Sequence, residues 1–100
     1  MDLREMLRKE VAFDWDEGNI LKNWESHRVK PSECEDVFFN TPVVEFDSAH
    51  SRHEQRYFAY GNTDRGRKLF IVFTIRRDKI RIISARDMHR KERRFYRENT

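Results

Sequence analysis

Cysteine is nearly absent from this 100-residue sequence, and its one thiol, Cys34, excludes a disulfide within the chain. No apolar run approaches the ~20 residues that cross a bilayer. The segment Met1–Glu10 lacks the apolar centre of a secretory leader. These absences lead to the expectation of a cytoplasmic protein with no membrane partner. Proline (two) and glycine (three) are scarce, and there are no repeats, low-complexity stretches or linkers. Apolar residues make up 37% of the chain and charged residues 39%, so any core is small. Eight Phe, two Trp and three Tyr offset this in part, because each aromatic buries a large area. The length suits one domain over residues 1–100, with 1–10 as an N-terminal extension.

The charge is unevenly distributed. The net charge is +3, but residues 1–50 carry six Lys/Arg against twelve Asp/Glu, and residues 51–100 carry fifteen against six. From Arg76 to Arg97 there are ten Lys/Arg and three Asp/Glu. A surface this basic suits a polyanion, with RNA or DNA the first candidate. The competing account is that folding joins the two halves and pairs their charges.

Residues 2–10 fit a short helix, with Leu3, Met6 and Leu7 on one face. Val11–Trp15 reads as a short strand. Asp14 or Asp16 can cap a helix running to about His27, whose Ile20, Leu21 and Trp24 are expected to face the core. Next comes a short helix carrying Cys34, Val37 and Phe38, started by Pro31 or by a Ser32/Glu35 capping box. Strands follow at Val43–Phe46, Glu54–Tyr60, Lys68–Ile75 and Ile80–Ala85, the last two joined by a tight turn at Arg76–Lys79. A basic helix ends the chain. Hairpin-linked strands imply an antiparallel sheet of about four strands with helices packed on one face, an α+β fold.

The sequence resembles the BrnT family of type II toxins, small ribonucleases with a RelE-like fold. The resemblance rests on Phe13-Asp14-Trp15-Asp16, the Asn19/Asn23/His27 stripe, Val37-Phe38, Glu54 with Arg56, Gly61, the Leu69–Phe73 strand, Ile80–Arg86, and Glu92 with Tyr96. Ile80-Arg81-Ile82-Ile83-Ser84-Ala85-Arg86 is its most specific part. The family usually reads Lys-His-Gly at the end of the first helix; here the residues are Ser26-His27-Arg28, so a different helix exit is expected. The resemblance implies endoribonuclease action on RNA with no cofactor and no metal. It also implies a cognate BrnA-like antitoxin with a DNA-binding domain, through which alone promoter DNA is reached.

Metal-free RNA cleavage needs a base for the ribose 2′-OH, cations for the phosphorane and an acid for the 5′-oxygen. Arg81 and Arg86 are the leading phosphate ligands, because the arginine fork holds two oxygens and stays charged. Period-two alternation places Arg81 with Ile83 and Ala85, opposite Ile80 and Ile82. The competing reading has both arginines solvated or paired with Asp78 and Asp87. Glu54 is the candidate base and Arg56 its phosphate-holding or tuning neighbour, or the two form a surface ion pair. His27 completes the catalytic set, in line with Asn19 and Asn23, unless it only caps its helix. His50 and His53 with Glu54 match a metal site only loosely, so no metal ligands are assigned. Arg76, Arg77, Arg90, Arg93, Arg94 and Tyr96 are candidate RNA-binding residues. The first five supply affinity and Tyr96 stacks on a base, unless it packs against the sheet. The rival from another class is a non-catalytic RNA- or ribosome-binding module, which needs the basic face but not Glu54 and His27.

Overall fold

A computed structural model describes residues 11–100. The expected helix at 2–10 lies outside the described residues. The elements are α1 (Glu17–His27), α2 (Pro31–Phe39), β1 (Val43–Phe46), β2 (Arg56–Asn62), β3 (Lys68–Arg76), β4 (Lys79–Asp87) and α3 (Arg90–Glu98). The four strands form one antiparallel sheet in the order β1-β2-β3-β4, an α+β arrangement. β3 and β4 meet in a two-residue turn with Arg77 (φ 53°) and Asp78 (φ 62°) both left-handed, the geometry that matches strand twist.

Strand alternation gives the sheet two apolar faces. Ala59, Leu69, Ile71, Phe73, Ile80 and Ile82 pack with Val29, Cys34, Val37 and Phe38 from the helical side. On the opposite face Tyr60, Phe70 and Met88 pack with Phe58, Val72, Phe95 and Tyr96. Helix α2 packs on one face and α3 lies on the other, contrary to the expectation that all helices pack on one face. Phe95 and Tyr96 put α3 on the second face, and five exposed basic side chains of α3 point outward. The close approach of α2 explains Gly61: a Cβ there would lie 2.8 Å from Val37 Cγ1.

Two further expectations are corrected. The Val11–Trp15 strand shrinks to one parallel bridge, in which Ile80 N–H donates to Ala12 O and Asp14 N–H to Ile80 O, both at 2.9 Å. Helix α1 is turned from its expected orientation. Leu21 and Trp24 are exposed, whereas Asn23 is buried. The reason is the free edge of β4. Asn19 Nδ2 donates to Ile82 O, Asn23 Oδ1 accepts from Ala85 N–H (3.3 Å), and Asn23 Nδ2 donates to Asn19 Oδ1 (2.8 Å). Unpaired strand-edge groups need polar partners, and the asparagine stripe supplies them.

The capping expectations are met locally. Asp16 caps α1 by accepting from Asn19 N–H at 2.7 Å, and Pro31 opens α2. Glu33, and not Glu35, reaches back to the α2 N-cap, accepting from Lys30 N–H at 3.0 Å. At the exit of α1, Arg28 itself adopts the left-handed conformation (φ 54°, ψ 41°). Arg28 N–H donates to Trp24 O at 2.9 Å, an αL ending that usually takes glycine. The exit therefore keeps the glycine-type path, with the Arg28 guanidinium 5.2 Å above the Trp24 ring.

Candidate active site

A register shift between Val72 and Phe73 marks a bulge on β4 at Ile83. Val72 pairs with Ser84 and Phe73 with Ile82, so Ile83 is the extra residue. Beyond it the alternation inverts. Ala85 joins Ile80 and Ile82 in the helical-side core, contrary to its expected place beside Arg81. Arg86 moves to the second face, where its guanidinium lies 4.5 Å above the Phe70 ring. The bulge thus puts Arg81 and Arg86 on the same face, five residues apart.

That face carries most of the predicted residues. Arg56, Thr74 and Arg81 are direct cross-strand neighbours in one row. With strands ~4.8 Å apart, the two arginines start about 10 Å from each other. Their surroundings differ. Arg81 is held by Asp16 and Asp14, the latter at 3.6 Å, and not by Asp78. Those contacts hold the Asp16 carboxyl below the usual carboxylate range, the Arg81 hydrogen bond first and the Asn19 N–H second. Among the described residues Arg56 has only a long ion pair, with Glu54. Its Nε is buried with no hydrogen bond among the described residues, and Glu54 Oε1 is 4.0 Å away. Glu54 Oε2 takes a bond from Arg76 Nη2 at 3.2 Å.

Arg86 forms a two-pronged pair with Glu92, at 2.7 and 2.8 Å, not with Asp87. Glu92 also accepts from His89 N–H at 2.7 Å, closing the N-terminus of α3. Burial disfavours the Glu92 carboxylate, but Arg86 and the His89 N–H outweigh it, and the net shift is downward. Arg86 therefore docks α3 onto the sheet. Tyr96 packs into the second apolar cluster, and its hydroxyl accepts from Asn62 Nδ2 at 2.9 Å. Arg90, Arg93 and Arg94 are exposed on α3; Arg93 donates to Met88 O and Arg94 pairs with Glu98. Arg76 and Arg77 are exposed at the β3–β4 turn.

His27 is not brought to Glu54. Its carbonyl is bound by Arg67, whose side chain also grips Asp87 at 2.7 Å, in the Leu69–Asp87 row. Glu54 lies beyond the Arg56–Thr74 row, five residues and about 17 Å away along the strands. One scissile phosphate cannot reach both.

Sequence reasoning missed Arg67. It also donates to Arg28 O and to Glu33, tying α1, α2, β3 and β4 together. The signal for it, an arginine after a turn glycine, is too common to find. Asp14 and Asp16 were legible as caps but not as partners of Arg81. Around Glu54 the β1–β2 loop adds Arg52, His50 and His53, which with Ala49 and Arg56 line an open depression. Among the described residues, no three His, Cys, Asp or Glu side chains gather to hold a metal ion. No helix among them is long and apolar enough to cross a membrane.

No curated protein matches the chain. A family model described as "Ribonuclease toxin, BrnT, of type II toxin-antitoxin system" matches residues 15–92. This span covers α1 through β4 and reaches Glu92, the residue that docks α3. The sheet face with its arginine row and the match over most of the sequence lead to one conclusion: the chain belongs to the BrnT family of type II toxin-antitoxin ribonuclease toxins.

Proposed function

We propose that this chain is a metal-independent endoribonuclease of the cytoplasm, with its reaction centre at the Glu54 end of the sheet. A BrnA-like antitoxin silences it and alone contacts promoter DNA. The observation that carries the reading is Arg56, whose buried Nε has no hydrogen-bond partner among the described residues and lies beside a carboxylate on a face shared with two more arginines. A buried donor without an acceptor is costly, and a phosphate oxygen would relieve it.

In this reading Glu54 takes the proton from the ribose 2′-OH, and the 2′-oxygen bonds to phosphorus. The P–O5′ bond breaks, leaving a 2′,3′-cyclic phosphate and a 5′-hydroxyl. Arg56 holds the phosphate. Arg81, partly neutralised by Asp14 and Asp16, adds to the positive field. Arg86 keeps α3 in place, and Arg76, Arg77, Arg90, Arg93 and Arg94 hold the flanking backbone. His27, at the far end, takes no part at this phosphate.

The test is purified protein with total RNA in EDTA, with 2′,3′-cyclic phosphate ends quantified beside Arg56→Ala and Arg81→Ala. The reading expects cyclic ends that vanish with Arg56→Ala. Intact, salt-sensitive RNA binding without cleavage would instead favour the non-catalytic binding module.

A further inference from the structure

The β1–β2 loop holds its side chains more firmly than a polar connection requires. Asp47 is 6% exposed, and its Oδ1 accepts from the N–H groups of Ala49 (3.1 Å) and His50 (3.3 Å). Its Oδ2 lies 3.0 Å from His50 Nδ1. Asp47 N–H donates to Arg56 O at 2.8 Å, and Ser51 Oγ accepts from Arg56 N–H at 2.9 Å. The loop is thereby fastened to the first residue of β2, Arg56, whose Nε has no hydrogen-bond partner among the described residues.

A buried carboxylate bonded to Nδ1 fixes the orientation of an imidazole and presents Nε2 outward. The His50 side chain is 69% exposed, so Nε2 is open to a ligand. It borders a cavity of about 570 Å³, lined also by Arg52, His53, Glu54 and Arg56. This places an oriented imidazole, a carboxylate and two guanidinium groups around an open space that can admit a phosphodiester. His27 borders a separate depression of about 440 Å³ with Arg28, Arg86 and His89, at the opposite end of the sheet from Glu54.

The geometry points to His50, oriented by Asp47, as the general acid of the cleavage, an assignment that rests on the ribonuclease reading above. As Glu54 takes the 2′-OH proton and the P–O5′ bond breaks, the His50 imidazolium gives its Nε2 proton to the departing 5′-oxygen. The neutral imidazole is then left hydrogen-bonded to Asp47, and Glu54 carries the other proton. Solvent exchange returns both groups to their starting forms. Asp47 touches no substrate and acts as a positioning residue.

The experiment follows cleavage and binding of a fluorescently labelled single-stranded RNA oligonucleotide in EDTA. It compares the full chain with His50→Ala and Asp47→Asn. His50→Ala is expected to cleave about 100-fold more slowly or worse, the usual scale of a lost acid–base group. Its RNA affinity should stay within twofold of wild type and its melting curve unchanged. Added imidazole should restore part of the rate to His50→Ala but none to Arg56→Ala, which a merely structural histidine would not show. Asp47→Asn should slow cleavage about tenfold and add nothing to His50→Ala. Wild-type cleavage by His50→Ala, or a slow variant that imidazole leaves unchanged, overturns the assignment and spares the ribonuclease reading. A wild type that binds the RNA and never cleaves it overturns both.

Discussion

At the scale of single residues, three arginines on one face are separated by their partners more than by their positions. Arg81 faces two carboxylates, Arg86 has a two-pronged pair with Glu92, and among the described residues Arg56 keeps an unused donor. Arg56→Ala should therefore reduce cleavage by 100-fold or more, on the scale of losing a charged donor to the transition state. Arg81→Ala should cost less than tenfold, because its charge is already balanced. Equal losses in single-turnover cleavage, with equal RNA affinity, would contradict this ranking. The candidates were legible in the sequence because arginine, glutamate and histidine announce their chemistry. Their pairing was not. Asp14 and Asp16 lie some 65 residues before Arg81, and no local pattern links them. The inverted alternation after Ile83 was equally hidden, because Ile82-Ile83 looks the same with or without a bulge.

At the scale of elements, most strands and helices could be read from period and punctuation, with ends shifted by a few residues. Period-two alternation marked β2, and the apolar run of β3 marked a strand buried on both faces. The orientation of α1 was not legible. Apolar spacing turns Ile20, Leu21 and Trp24 inward, but only Ile20 is half-buried, because α1 lies against the unpaired edge of β4. Asparagines satisfy such an edge better than leucine does. Asn23→Leu should thus destabilise the protein by about 2 kcal/mol, the cost of leaving a buried N–H such as that of Ala85 unpaired. Urea unfolding measures it. A stability equal to wild type would mean the edge finds another acceptor. Leu21→Gln, on the exposed face, should change stability by less than about 0.5 kcal/mol.

At the scale of the whole molecule, folding only partly merges the acidic and basic halves. Arg81 with Asp14 and Asp16, and Arg67 with Glu33, join them; the exposed bases of α3 pair with none of the described acids of the first half. Replacing Arg93 and Arg94 by alanine should weaken RNA binding and lower the slope of log affinity against log salt by about one to two. An unchanged slope would place the RNA elsewhere. The ion pairs also set the response to acid. The carboxyls of Asp16 and Asp87 are held below their ordinary 3.8, and Glu92 below 4.5, by Arg81, Arg67 and Arg86. A carboxyl depressed by folding contributes stability that is complete above its unfolded pKa and lost as pH falls through the folded one. Melting temperature should accordingly hold steady above about pH 5 and decline below about 4.5. A decline that begins near neutrality would point to histidines instead. Asp87→Asn should make that decline shallower.

Cys34 gives the fold an internal clock. It is 1% exposed on α2 between the helices and the sheet, and burial, with Glu33 and Glu35 nearby, pushes its thiol up to about 12. A thiol this enclosed and this reluctant to ionise meets no reagent while the molecule is closed. Its alkylation rate therefore counts the openings of the core, one lone cysteine reporting for the whole chain without an added label. Anything that clamps the closed form, an antitoxin on the helices or RNA on the sheet, would slow that clock by the factor by which it stabilises the fold.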